Sequence, residues 1–443
     1  MPIRMTARLL AVKCLVRIEA QGAYSDLLMD KELERSGLDR RDRAFASLLV
    51  QGVLERRITL DACIAPLTKI NKLSPPVLAI LRTGVYQLLY LPDIPQPAVV
   101  NEATQLTRHT GQSRASGLVN GVLRAFLRGG CAVPLPAFPQ EERLSVEYSV
   151  PTPLARLLLE SYGPQKTAAF LERALRPAPL YIRANTVKTD SESLLRALEA
   201  AGVGCQPIGL EGCLKLEGGG SIPSLPGFAE GHFHVQDLSS QLCALAVEAR
   251  PGMQVLDVCA APGGKSFTIA QWMRSSGRLV ACDLHEKRVG LIRQGAERLG
   301  LGCITARQGD ASQHDPALGQ FDRVLCDVPC SGFGIIGRKP EIRYKSLEEI
   351  ATLPQIQHKI LAASSKYTKE GGRLVYSTCT LNPAENEAVV AQFLNENPHF
   401  APAPLPPQLG GGPTSTLMDS GWDCDGFFVA AMTRTAAPQQ GRD

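Results

Sequence analysis

The chain has 443 residues, 44% of them hydrophobic, and a net charge of +4, which is more than one ordinary domain and enough apolar material for a sizeable core. No run of about 18 apolar residues occurs, so no membrane span is expected, and Met1-Pro2-Ile3-Arg4-Met5-Thr6 does not lead into a signal-peptide core. The 13 cysteines are odd in number and lack short paired spacing, which argues against a disulfide scaffold; Cys326 and Cys330 have no second pair or histidine nearby, so no metal is expected, and the chain reads as cytoplasmic.

Residues 1–130 read as an all-helical domain. Apolar residues recur at helical spacing over 7–19, 44–56, 76–89 and 115–127, with breaks such as Leu91-Pro92-Asp93-Ile94-Pro95-Gln96-Pro97 between them. Residues 1–145 carry 19 Lys/Arg against 13 Asp/Glu, a net of +6, whereas the remainder carries 28 against 30, a net of −2. A basic helical half beside a near-neutral half suits a phosphate-backbone partner, although charge alone fits an ordinary solvated surface as well. Gly129-Gly130 and the prolines after them mark a linker. Residues 141–235 suggest a small α+β module, with a helix over 154–175, a strand over 180–186 and a helix over 191–201 ended by Gly202.

Over residues 236–435 strands and helices alternate. Strands are expected at 255–259, 278–282, 303–308, 321–326 and 372–376. Helices are expected at 266–274, 286–299, 347–368 and 383–395, with a closing strand at 426–433. The alternation predicts an α/β fold with a doubly wound, Rossmann-like parallel sheet, whose strand ends open onto one ligand crevice.

Three strand-to-turn segments meet at that crevice. The first is Asp257-Val258-Cys259-Ala260-Ala261-Pro262-Gly263-Gly264-Lys265. Its glycines let a backbone approach a ligand, but it has the spacing of neither a P-loop nor a dinucleotide fingerprint. Asp283 ends the next strand, 26 positions after Asp257, where a carboxylate can accept from both ribose hydroxyls of an adenosine. Asp310 ends the third and could accept from an adenine amino group. Taken singly each acid reads as a turn residue; three in series point to S-adenosylmethionine.

Two cysteines follow the other strands, Cys330 in Asp327-Val328-Pro329-Cys330 and Cys379 in Ser377-Thr378-Cys379-Thr380. Alone, each reads as packing. Both beside an acidic cofactor crevice point to covalent chemistry, since a thiolate is the strongest nucleophile among side chains near neutral pH. Thiolate addition at C6 of cytosine makes C5 able to take a methyl group; a second group near C5 can then remove its proton. Asp327 could hydrogen-bond the base near N3, and Pro329 restricts the backbone that aims Cys330. Arg338, Lys339 and Arg343, just downstream, could contact RNA phosphates, with a solvated loop nearly as good a reading. His232 and His234 alternate on an expected strand and read as surface or edge residues.

These motifs resemble the RNA 5-methylcytosine methyltransferases of the NOL1/NOP2/Sun group. The resemblance covers about the last 210 residues and also includes Val235-Gln236-Asp237-Leu238-Ser239-Ser240-Gln241, Pro383-Ala384-Glu385-Asn386-Glu387 and Asp425-Gly426-Phe427-Phe428. Residues 1–130 are similar to the NusB-type RNA-binding helical domain, as in Val119-Asn120-Gly121-Val122-Leu123-Arg124. The resemblance implies Cys379 as nucleophile and Cys330 in proton removal or product release. It places cofactor contacts on Cys259, Ala260, Ala261, Pro262, Gly263, Gly264, Lys265, Asp283, Arg288, Asp310 and Asp327, with Asp327 also near the base. The joined domains imply methylation of 16S rRNA at cytosine 967, on the small ribosomal subunit or its assembly intermediate, by a monomer. Another rRNA or tRNA cytosine, or a non-catalytic RNA-binding assembly factor, stays open. The chain departs from the group's usual pattern at Val328, tolerable if it packs inward, and at Gly332-Phe333-Gly334, which leaves that loop's contacts with the target base open.

Overall fold

The computed structural model describes residues 5–21, 25–218, 220–418 and 421–436; Met1–Arg4, part of the N-terminal reading above, and 22–24, within the expected helical stretch, lie outside them. The chain divides into two compact units, one of Met1–Leu175 with Arg338–Lys345 and one of Arg176–Gly337 with Ser346–Asp443.

The first unit is helical, built on Ala7–Gln21, Arg40–Glu55, Pro75–Tyr90 and Ser116–Arg128. Helical periodicity also continues through Arg57–Ile64 and Gln96–His109, which the turn residues beside them masked. Asp39 caps the helix at Arg40, accepting from Asp42 N at 2.8 Å. One core holds Leu9, Val12, Leu49, Val53, Ile80, Val85, Val119 and Leu123. Residues 141–175 pack with this unit. Thr59 Oγ1 donates to Val146 O at 2.6 Å and Ser149 Oγ accepts from Ile58 N at 2.9 Å, joining the two stretches. The helix expected over 154–175 runs Thr152–Arg173 but breaks at Gly163, φ 77°, followed by Pro164, a pair that supplies a left-handed residue and removes a donor.

The second unit begins with a four-stranded antiparallel sheet in the order β2-β3-β1-β4: β1 (Leu180–Ala184), β2 (Gly204–Pro207), β3 (Cys213–Glu217) and β4 (Phe233–Val235). The helix Ser191–Ala200 packs Leu194 and Leu198 against Ile182, Leu214 and Phe233.

The large sheet follows: β5 (Gln254–Asp257), β6 (Arg278–Asp283), β7 (Ile304–Gln308), β8 (Phe321–Asp327), β9 (Thr368–Thr378), β10 (Phe400–Pro402), β11 (Thr414–Leu417) and β12 (Phe427–Arg434). Its order is β10-β12-β9-β8-β5-β6-β7, with β11 on β12. Both faces are covered, so successive residues enter opposite cores. Val255, Leu279, Leu325, Val375 and Val429 face one; Leu256, Val280, Val324, Leu374 and Phe428 face the other. The sheet is mixed rather than wholly parallel: β7-β6-β5-β8-β9 are parallel, while β12 is antiparallel to β9 and to β10. Between β10 and β12 only the short turn Pro407–Leu409 and β11 intervene, too little for the helical crossover that parallel neighbours need. The helix expected over 347–368 is confined to Leu353–Ser365, starting with Pro354 in its first turn, because Thr368 already belongs to β9.

Candidate active site

Register sets the site. In the parallel pair β8–β9, Asp327 lies opposite Ser377, so Cys330, three residues beyond Asp327, and Cys379, two beyond Ser377, leave adjacent strand ends together. Their sulfurs are 3.3 Å apart. Asp327 accepts from Ser377 Oγ at 2.8 Å and from Lys265 Nζ at 2.6 Å, and Lys265 also lies over the Phe427 ring, 5.0 Å from its centroid. Two cysteines, a carboxylate and an ammonium from three segments thus form one cluster.

The electrostatics separate the thiols. The Cys330 thiol, as donor to Cys379, holds the Cys379 pKa below its ordinary value; burial and Asp327 oppose this and Lys265 assists. The same hydrogen bond, with burial and Glu385 and Asp327 nearby, pushes Cys330 well up. Burial works against the charge on Lys265, but Asp327 and the neighbouring thiols more than offset it, and its pKa rises.

The glycine turn has its own constraint. Gly263, at φ +112°, begins the helix Gly264–Trp272, and a Cβ there would lie 2.4 Å from the Phe267 ring. Ala260 N donates to Cys282 O, and Gly263 N to Ala260 O, both at 2.7 Å. Within the turn Ala260, Ala261 and Gly263 are buried, Cys259, Gly264 and Lys265 half-buried and Pro262 exposed. Asp283 is buried at the end of β6 and pairs with Arg288 at 3.4 Å. Arg288 also donates to Ala261 O at 2.7 Å, tying the strand end to the turn. Asp310 stands apart: its carboxylate accepts from Ser312 N and Oγ at 2.9 and 2.7 Å and from Gln313 Nε2 at 3.1 Å, within its own loop. These bonds, chiefly that of the Ser312 hydroxyl, hold its pKa below the usual carboxylate value. A cavity of about 350 Å³ beside it is lined by Leu256, Val258, Cys282, Ala311, His314 and Tyr367, among others, and does not reach Cys330 or Cys379.

Asp257 lies fully buried at the end of β5. Ser266 Oγ donates to one carboxylate oxygen at 2.6 Å, and the other, Oδ1, has no hydrogen-bond partner among the described residues. Burial raises its pKa to about 7.

Two expectations are corrected. Arg343 is fully buried, donating to Glu55 O at 2.8 Å within the helical unit, so it is no phosphate contact. His234 lies on the edge strand β4 but is not a surface residue: it is buried, edge-on against Phe267 at 5.7 Å between ring centroids, and bonded to Gln236 at 3.2 Å. Its pKa falls to about 3 through burial. Both misreadings come from the polar side chain itself, which gives no sign in sequence of a buried partner. Val328 packs inward, 4% exposed. Gly334 N donates to Cys379 O at 3.0 Å and Gly334 O accepts from Gly426 N at 2.9 Å, so the Gly-Phe-Gly loop is stitched to the second cysteine and to the strand that closes the chain. The ion pair of Lys265 and the contacts of Glu385 were not foreseen, because their partners lie tens of residues away in sequence.

A parallel α/β sheet with an antiparallel strand added at one side, a glycine turn after its central strand and a polar cluster at the strand ends define the class of α/β methyltransferases. Sequence comparison specifies the member. The profile described as "16S rRNA methyltransferase RsmB/F" matches residues 244–433, that of the NusB family residues 5–128, and that of an RsmF/B-like ferredoxin-like domain residues 150–223. The chain is 36% identical to a probable ribosomal RNA small subunit methyltransferase B of Bacillus subtilis (strain 168), covering 97% of this chain and 99% of that protein. It is 31% identical to ribosomal RNA small subunit methyltransferase B of Escherichia coli O139:H28 (strain E24377A / ETEC), covering 89% and 91%. The chain therefore belongs to the RsmB/F family of 16S rRNA methyltransferases and is an RNA methyltransferase. Among solved structures, a methyltransferase homologue protein from Pyrococcus horikoshii matches with TM-score 0.58 and 26% identity over 67% of this chain and 99% of that one. The crystal structure of PH0851 shares the fold over 97% of this chain and 99% of its own, with TM-score 0.80 at 23% identity.

Proposed function

We propose that the protein uses S-adenosylmethionine to form 5-methylcytosine at cytosine 967 of 16S rRNA, acting in the cytoplasm as a monomer on the small subunit or its assembly intermediate. The observation that carries the reading is the pair of thiols 3.3 Å apart, one depressed by the other's proton, beside the Lys265–Asp327 ion pair. Cys379 is the group poised as a thiolate. It adds to C6 of the cytosine, and the electron pair moves into the ring toward C5, which becomes enamine-like. In this reading Asp327 and Lys265 hydrogen-bond the ring and stabilise the charge that develops. As Cys379 attacks, the Cys330 proton passes to the ring nitrogen, directly or through water; after methylation the Cys330 thiolate so formed accepts the C5 proton, and the C6–S bond breaks as the ring double bond re-forms and the ring nitrogen gives its proton to solvent.

The residues at the crevice fit the cofactor. Asp257 Oδ1 is a buried acceptor without a partner among the described residues, and Asp283 stands buried at the next strand end. Cys259, Ala260, Ala261, Pro262, Gly263, Gly264 and Lys265, with Asp283, Arg288, Asp310 and Asp327, would hold it, and it would supply an electrophilic methyl group. Asp310 would offer an adenine its remaining acceptor capacity, since its loop already engages both oxygens.

Cys379→Ser is expected to lower methyl transfer at least about 1000-fold, the scale of losing a covalent nucleophile, while cofactor binding persists. Cys330→Ser should accumulate an RNA adduct through Cys379, seen as a shifted band on a denaturing gel. Substantial turnover by Cys379→Ser, or no adduct with Cys330→Ser, would overturn these roles. Bisulfite sequencing of rRNA with and without the protein should show one protein-dependent protected cytosine at 967; protection elsewhere would move the target.

A further inference from the structure

The two thiols touch each other, yet what holds them there is a carboxylate that touches neither. Glu385 is fully buried. Its Oε2 accepts from Ser331 N and Gln357 Nε2, both at 2.9 Å. Its Oε1 accepts from Ser331 Oγ at 2.6 Å and Asn382 Nδ2 at 3.0 Å. Four donors fill the acceptor positions of one carboxylate, which is how a buried carboxylate becomes tolerable.

The donors lie beside the cysteines. Ser331 follows Cys330, and Thr380 follows Cys379; their hydroxyls are 2.7 Å apart. With the Ser331 hydroxyl donating to Glu385, the Thr380 hydroxyl donates to Ser331, so a chain of hydrogen bonds runs from the second cysteine loop through the first to the carboxylate. On the other side of Cys330, Pro329 O accepts from Gln357 Nε2 at 3.0 Å. Thr378 Oγ1 donates to Asn386 Oδ1 at 2.6 Å, and Asn386 Nδ2 to Thr380 O at 3.0 Å. Tyr376 OH donates to Glu385 O at 2.6 Å, which fixes the glutamate's own backbone to β9. The neighbours of both cysteines are thus anchored to one short segment, while the sulfurs stay free to react.

We propose that Glu385 is a positioning residue that sets the spacing of Cys330 and Cys379. The inference rests on the two-thiol reading above, in which one sulfur attacks C6 and the other serves C5 of the same ring. Two groups that act in turn on adjacent ring atoms need a fixed separation that neither can supply itself.

The test separates spacing from chemistry. Phenylarsine oxide binds two thiols at once, forming two As–S bonds and releasing the oxide oxygen as water with both thiol protons, with no change in redox state. The wild-type protein, free of RNA and cofactor, should bind one arsenic across Cys330 and Cys379, read by peptide mass spectrometry after alkylation. Glu385→Gln puts an NH2 group against two donors on whichever oxygen it replaces. It should lower bridging at least tenfold and raise the ratio of trapped RNA adduct to released product at least threefold, with unchanged cofactor binding. Ser331→Ala removes the link to Thr380 and should move both readouts the same way by a smaller factor; it decides the matter if Glu385→Gln does not fold. Unchanged arsenic bridging in the folded variants would overturn the proposal. If bridging falls but Cys379→Ser retains turnover, the spacing role stands and the two-thiol chemistry falls.

Discussion

The proton between Cys330 and Cys379 is shared unequally, and the inequality has a measurable pH signature. A free thiol titrates near pH 8.5. Cys379 lies below its ordinary value chiefly because Cys330 donates to it, with Lys265 a smaller aid against burial and Asp327. Lowering a thiol pKa favours the thiolate, so the iodoacetamide rate at Cys379 should reach its half-maximum at lower pH than that of a model thiol. Removing the donor leaves burial and Asp327 opposed by Lys265 alone. Cys330→Ala should therefore move the Cys379 midpoint upward, and Lys265→Met should move it upward by less, following the order of the two effects. Peptide-resolved alkylation from pH 5 to 10 reads this directly. A midpoint unmoved in Cys330→Ala would show that the thiol pair does not activate Cys379. Lys265→Met also leaves the Asp327 carboxylate without its cation, so methyl transfer should fall beyond what the thiolate fraction explains.

At the level of elements, the site is made by two close approaches of backbone. One is the β8–β9 register; the other is the crossing of the Gly332-Phe333-Gly334 loop with the start of β12. A Cβ on Gly334 would sit 1.9 Å from Gly426 O and 2.9 Å from Cys379 O, both rigid backbone atoms. Gly334→Ala must therefore push β12 or the Cys379 loop aside. Overpacking of this kind costs about 1–3 kcal/mol, so a lowered unfolding midpoint with loss of adduct formation is expected in calorimetry and gel assays. An unchanged midpoint with full activity would mean that the crossing yields more readily than backbone packing should. The sequence made most of this visible: the strands before Asp257, Asp283, Asp327 and Ser377 show as short apolar runs, and the motif residues fall at their ends. Less legible were features that depend on distant partners. The antiparallel insertion of β12 follows from a short connection rather than from any pattern within the strand. The helix Leu238–Ala246 buries polar Ser239 and Gln241 along with Leu242, Cys243, Ala244 and Ala246, so no amphipathic stripe marks it. Glu385 falls in the Pro383–Glu387 segment that carries the resemblance, but nothing in that segment shows that its carboxylate is met by Ser331 and Gln357.

For the whole molecule, the charge asymmetry becomes a question of which cations meet RNA. The net of +6 over residues 1–145 includes arginines with different fates. Arg114, Arg124 and Arg128 are exposed on the helical unit. Arg82 is buried there and bonded to Asp61 at 2.7 Å and to Glu19. Arg343 comes from far along the chain but folds with that same unit, buried, where Tyr344 beside it donates to Leu54 O at 2.6 Å and stacks under Arg57, 3.7 Å from the ring centroid. Only exposed cations can release counterions from a phosphate backbone, and each phosphate so neutralised contributes about 0.7–0.9 to the slope of log affinity against log salt. Replacing Arg114, Arg124 and Arg128 by Ala should flatten that slope by this amount for every phosphate left unneutralised, measured by filter binding to 16S rRNA fragments between about 50 and 200 mM salt. Arg343→Met should leave the slope untouched and lower thermal stability instead, because Glu55 O loses its donor, at a cost of about 1–3 kcal/mol. A flattened slope in Arg343→Met with unchanged stability would return that arginine to the RNA surface, and with it a different path for the segment that follows Cys330.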